Sequence, residues 1–76
     1  MDELLEILEE LHPEIAFEEE TALVDDGILD SLDIVSLIGE IKRVFDVTVT
    51  AGDIIPDNFN TVQAMMDLIT RLEDEG

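Results

Sequence analysis

The chain contains no cysteine. That excludes a disulfide staple and a thiolate metal cluster, and it leaves the polypeptide with no thiol of its own. Bases are nearly as scarce, since Lys42, Arg43 and Arg71 stand against 21 acids for a formal charge of −18. Such a charge repels phosphate backbones and argues against nucleic acid as a ligand. It favours fast encounter with basic partner surfaces. It also strains the compact state by self-repulsion, so salt or divalent cations are expected to raise stability. The plainer alternative is an acidic surface kept for solubility. A long apolar run is missing too: Ile34–Gly39 is interrupted by Ser36 and is far too short to cross a bilayer. Met1 leads directly into DELLEILEEL without the basic start or apolar stretch of a signal peptide, so a soluble cytoplasmic domain is expected, and the high charge argues for a monomer. No repeat and no Ser/Pro/Gly-rich linker divides the 76 residues, which read as one domain over residues 1–76. Chains of that size bury only about 60% of their unfolded surface. Apolar residues nevertheless make up 46%, too many for a disordered acidic tail.

What is present is helical periodicity. Leu4, Ile7, Leu8 and Leu11 recur at helical spacing with acids opposite, and Pro13 stops that helix at His12. Residues from Pro13 to Asp30 are irregular. They form a long connection that Phe17, Leu23, Ile28 and Leu29 are expected to pin across the helices, while Glu18–Glu20 stay solvated. The next helix opens at Asp30 or Ser31, either of which can cap it. Ile34, Leu37, Ile38, Ile41 and Phe45 form its core stripe, with Lys42 and Arg43 in the last turn, where the dipole favours cations. Leu32 and Val35 fall off that stripe and are expected to be partly exposed. DVTVTA alternates like a strand but has no partner strand, so it reads as an extended connector. Thr50 and Asp53 form a capping-box pair that predicts a short third helix ending before Pro56. A fourth helix is predicted from Asn60, with Gln63 at the matching capping position and Val62, Met65, Met66, Ile69 and Leu72 on its apolar face. The fold class is therefore all-α: a small four-helix bundle with a short third helix and a long first connection.

Catalytic chemistry finds little support. A serine nucleophile needs a base within reach, and the only histidine, His12, reads as an exposed helix-end residue far along the chain from Ser31. Asp25, Asp26, Asp30 and Asp33 are crowded, but DDGILDSLD lacks the alternating ligands and closing Glu of a calcium loop. No metal site and no catalytic residue is assigned. Ser31 remains, either as a helix cap or as a hydroxyl that another protein modifies. A hydroxyl at a helix start lies beside free amides that stabilise a bound phosphate. Leu32 and Val35 adjoin it, and acids on both sides suit a basic enzyme.

The segments GILDSLDIVSLIGEIKRVFDV and IIPDNFNTVQAMMDLI resemble an acyl carrier protein, and the likeness extends to size, acidity, the long first loop and the helix order. The resemblance implies that Ser31 carries 4'-phosphopantetheine through a phosphodiester, with Asp30 and Leu32 completing the Asp-Ser-Leu motif. It implies a non-catalytic carrier modified by a magnesium-dependent phosphopantetheinyl transferase using coenzyme A. Its other partners would be an acyl- or aminoacyl-loading enzyme and enzymes with basic surfaces that use the cargo. The same resemblance suggests partner docking by Asp33, Val35, Ser36, Gly39, Lys42 and Arg43.

Two services remain open. The leading expectation is an acyl carrier of the fatty-acid type, which Asp33 favours. The alternative is an aminoacyl carrier loaded by an adenylating ligase, because GILDS, with Ile28 and Leu29 between the glycine and the motif, looks closer to D-alanyl carrier proteins. Ser36, Gly39, Lys42 and Arg43 also depart from the acidic helix that fatty-acid partners would meet. A third reading is an acidic helical interaction module without a prosthetic group, in which Ser31 is only a cap. A fourth, an acidic calcium buffer, needs a calcium affinity measurable in physiological salt.

Overall fold

The computed structural model of the chain describes residues 2–75. Four α-helices run in the order α1 (Asp2–Leu11), α2 (Ser31–Phe45), α3 (Pro56–Phe59) and α4 (Val62–Glu75), with two short 3-10 turns at Phe17–Glu19 and Ala51–Asp53. No strand occurs among the described residues. The molecule is the small all-α bundle expected. α1 packs on α2 and α4, and α3 lies against α4.

The core follows from the apolar stripes. Leu4, Ile7 and Leu8 of α1 are buried against Ile34, Leu37 and Ile41 of α2 and Val62, Met65, Leu68 and Ile69 of α4. Each such side chain contributes roughly 1.5–3 kcal/mol when fully taken from water. No polar or charged residue is buried among the described residues. The DVTVTA connector keeps its alternation without becoming a strand, because Val47 and Val49 point into the core while Thr48 and Thr50 face solvent.

The long first connection is ordered by its apolar residues. Phe17, Leu23 and Leu29 are buried and Ile28 is half-buried. The Leu29 amide donates to the Leu23 carbonyl at 2.9 Å, closing a tight loop. That loop turns through Gly27 at φ +74°, a region that a side chain disfavours.

Two helix starts differ from the sequence expectation. The Thr50–Asp53 capping box forms but closes only the 3-10 turn, and Pro56 opens α3 rather than following it. The missing N–H of a proline costs nothing at a first helical position, and helical geometry is disfavoured at the residue before it, so Ile55 is extended. The fourth helix begins at Val62, not Asn60. Thr61 Oγ1 accepts the Ala64 amide at 2.9 Å as its cap, and Gln63 donates to Asp67 along the helix at 3.0 Å. Asn60 instead ends α3 and ties down the first connection. Its Oδ1 accepts the amides of Val24 and Asp25 at 3.0 and 3.1 Å, and its carbonyl accepts that of Leu23 at 3.0 Å.

Candidate functional site

The start of α2 is built by Asp30. Its backbone is extended, its carboxylate accepts the Asp33 amide at 2.9 Å, and Asp33 Oδ2 in turn accepts the Asp30 amide at 3.2 Å. This reciprocal capping box satisfies two amides that a bare helix start leaves orphaned. Asp30 rather than Ser31 is therefore the cap. Ser31, freed from that duty, is the first helical residue and is exposed.

Beside it lies an open groove of about 480 Å³ lined by Val24, Leu29, Asp30, Ser31, Ile34, Val35 and Ile54. Leu32 and Val35 are 77% and 66% exposed, and Ile54 and Ile55 are also uncovered. These side chains leave apolar surface uncovered at the start of α2 and ahead of α3.

The remaining candidate residues are spread along α2. Ser36 and Gly39 are exposed, and a β-carbon added at Gly39 would meet nothing within 4 Å. Lys42 lies 3.6 Å from Asp46 across the helix end, and Arg43 is clasped by Glu40 one turn back. The bond from Arg43 holds the Glu40 carboxyl below its ordinary range. Both bases thus face solvent already paired with acids. Asp33 is turned inward: its carboxylate is only 20% exposed and meets His12 Nε2 at 2.9 Å.

That contact corrects the reading of His12 as an exposed helix-end residue. The ring is 27% exposed and bridges α1 to α2, with Nδ1 3.2 Å from Glu14 Oε1. The bond to Asp33 raises the His12 pKa above its usual value, against a smaller opposing effect of burial. Partial burial pushes Asp33 up, but the bonds from His12 and the Asp30 amide outweigh it and leave the carboxyl lowered. Nothing in the spacing of the chain signalled this pair. The one available hint was that a lone histidine ends the helix preceding so acidic a loop.

The chemistry of the site is that of acceptance. Among the described residues no cluster of three or more His, Cys, Asp or Glu is placed to hold a metal ion. No histidine lies against Ser31, since both His12 nitrogens face carboxylates. An exposed hydroxyl at the end of a helix, flanked by two unpaired amides of the first turn and an apolar groove, fits a phosphodiester with a partly apolar stem.

The family described as "Phosphopantetheine attachment site" matches residues 2–69. The chain is 36% identical over 73 residues to the D-alanyl carrier protein of Streptococcus mutans and 34% identical over 73 residues to that of Streptococcus sanguinis. Both alignments cover 95% of this chain and 92% of the relative. The D-alanyl carrier protein of Streptococcus thermophilus is 33% identical over the same shares. No solved structure matches. The chain belongs to the phosphopantetheine attachment family of carrier proteins. It is a non-catalytic carrier bearing covalent 4'-phosphopantetheine, and carriers of this kind work with a phosphopantetheinyl transferase and with loading enzymes.

Proposed function

We propose that the chain is an aminoacyl carrier of the D-alanyl type, with Ser31 as the attachment residue and an adenylating ligase as the loading enzyme. The observation that carries the attachment is the exposed hydroxyl at the first position of α2, with its capping role already taken by Asp30. The choice of cargo draws on the D-alanyl carriers to which the chain is similar over nearly its whole length. It draws also on GILDS and on the base pair Lys42 and Arg43. Fatty-acyl service, the leading expectation from the motif, finds no support among those relatives.

The prosthetic group supplies the thiol that this cysteine-free chain lacks, and with it the thioester that holds cargo. The chain's own residues do the presenting. Asp30 fixes the helix start, Ser31 offers its hydroxyl, and Leu32 and Val35 form the apolar part of a docking surface whose acidic surroundings attract basic partners. Charge speeds the encounter, and a small apolar contact keeps it brief. Ser36, Gly39, Lys42 and Arg43 extend that surface along α2.

The test begins with apo protein, coenzyme A, magnesium and a phosphopantetheinyl transferase, followed by intact mass. One added arm is expected on the wild type and none on Ser31→Ala; an arm on the variant overturns the assignment. The modified protein is then offered D-alanine and ATP with an activating ligase, or malonyl-coenzyme A with a malonyl transferase. Loading by the first and not the second is expected, and the reverse restores the fatty-acyl reading.

A further inference from the structure

His12 is the only histidine in the chain, and both of its ring nitrogens face carboxylates: Nε2 faces Asp33 Oδ2 at 2.9 Å and Nδ1 faces Glu14 Oε1 at 3.2 Å. An ionised carboxylate can only accept hydrogen bonds, so both contacts are satisfied only when both nitrogens carry a proton. The arrangement is built for an imidazolium. Its position just beyond α1 favours the same form, because the last carbonyls of a helix attract a cation, and the His12 amide itself donates to the Leu8 carbonyl at 3.0 Å.

The oxygen that receives His12 is not idle. Asp33 Oδ2 also accepts the Asp30 amide at 3.2 Å, while the Asp33 amide donates to Asp30 Oδ1 at 2.9 Å. One oxygen atom thus joins the end of α1 to the cap of α2, and Ser31 lies between the two aspartates that share it. The charged groups acting on the imidazole are Asp33 from α2 and Glu14 from the first connection. Those facing the Asp33 carboxylate are His12 and Asp30.

We propose that His12 is a positioning residue for the modification of Ser31: the doubly bonded imidazolium holds the Asp33 carboxylate against the Asp30 amide and so fixes the first turn of α2 in the form that offers the hydroxyl. This rests on Ser31 being the attachment residue. A neutral ring has one N–H and must give up one carboxylate. The Asp33 carboxylate, 2.9 Å from the ring, then loses the positive charge that balances it, and the junction of α1 with the first turn of α2 is weakened. The bond from Asp33 raises the pKa of His12, so the doubly bonded arrangement persists to higher pH than a free imidazole would allow.

Two measurements test this. In apo protein, NMR titration follows the His12 ring and the Ser31 and Leu32 amides. In the wild type the amides are expected to move with the His12 midpoint; in Asp33→Asn the midpoint falls and the amides cease to follow it. In the second, initial rates of arm transfer are measured on wild type, His12→Gln and His12→Arg from about pH 5.5 to 9, spanning the range in which histidine titrates. Comparing proteins at each pH cancels the titration of the transferase. The ratio of wild type to His12→Gln is expected to be severalfold at the acid end and to fall to one at the alkaline end, while His12→Arg, always charged, keeps its rate where the wild type declines. Ser31 amides indifferent to His12, or a ratio of one throughout, overturns the proposal. A wild type that takes no arm at any pH overturns the attachment reading instead, which separates the two failures.

Discussion

Asn60 Oδ1 accepts the Val24 amide at 3.0 Å, joining the α3–α4 corner to the middle of the first connection. The same oxygen takes the Asp25 amide, and Asn60 Nδ2 returns a bond to Asp25 Oδ2 at 3.1 Å. A side chain with this many backbone duties is hard to replace. Asn60→Ala is expected to lower stability by about 1–3 kcal/mol, the cost of leaving a partly buried amide unpaired. Urea unfolding monitored by far-ultraviolet circular dichroism measures it, and a loss within error would mean that water replaces the side chain freely.

The two residues at the start of α2 should separate cleanly. Asp30→Ala removes the cap and is expected to cost about 1 kcal/mol. Ser31→Ala removes an exposed hydroxyl that takes no part in the cap, so its stability should stay within about 0.5 kcal/mol of wild type. The equality of the two losses in denaturant titration would return Ser31 to a structural role and revive the simple interaction module.

Stability should depend on pH through His12 and Asp33 in a defined window. His12 has a raised pKa when folded, so its contribution is fully present below the ordinary value of 6.5 and is lost as pH rises through the folded one. Asp33 is lowered, so its contribution is present above 3.8 and is lost as pH falls through its folded value. Both act together between those limits. The difference in melting temperature between wild type and His12→Gln is expected to be greatest there and to vanish in alkaline buffer. A difference that grows with pH would contradict the ion pair.

Val35 should matter to partners and not to folding. With two thirds of its surface exposed, Val35→Asp is expected to leave stability unchanged within about 0.5 kcal/mol. It should lower kcat/KM for arm transfer by about tenfold, equivalent to about 1.4 kcal/mol of docking energy. Steady-state kinetics on purified apo protein check this, and an unaltered kcat/KM would remove Val35 from the docking surface.

Much of the fold was legible because periodicity is a one-dimensional signal. Ile34, Leu37 and Ile41 recur at helical spacing and are buried, and Leu32 and Val35, off that register, are exposed. Ser31 is singled out by its chemical surroundings, a hydroxyl at a helix start between acids with apolar neighbours, but its role as the attachment residue comes from the resemblance to acyl carrier proteins. The misplaced boundaries have a common cause. Thr50, Asp53, Asn60 and Gln63 all carry capping side chains, and spacing does not say whether a cap opens a full helix, a single turn or none. Asn60 was decided by a partner across the fold, as was His12. Phe59, almost wholly buried, belongs to no recognisable stripe because its helix is a single turn long. Long-range side-chain bonds leave no mark on the spacing of the residues that make them.

Leu32, Val35, Ile54 and Ile55 bare their hydrocarbon on a chain whose acids outnumber its bases sevenfold. Two copies approaching grease to grease must also drive two like-signed electrostatic fields together, a repulsion that is strongest at low salt. The same field favours a visitor that brings the opposite sign. Concentrated salt should weaken that field, and with it the barrier to self-association.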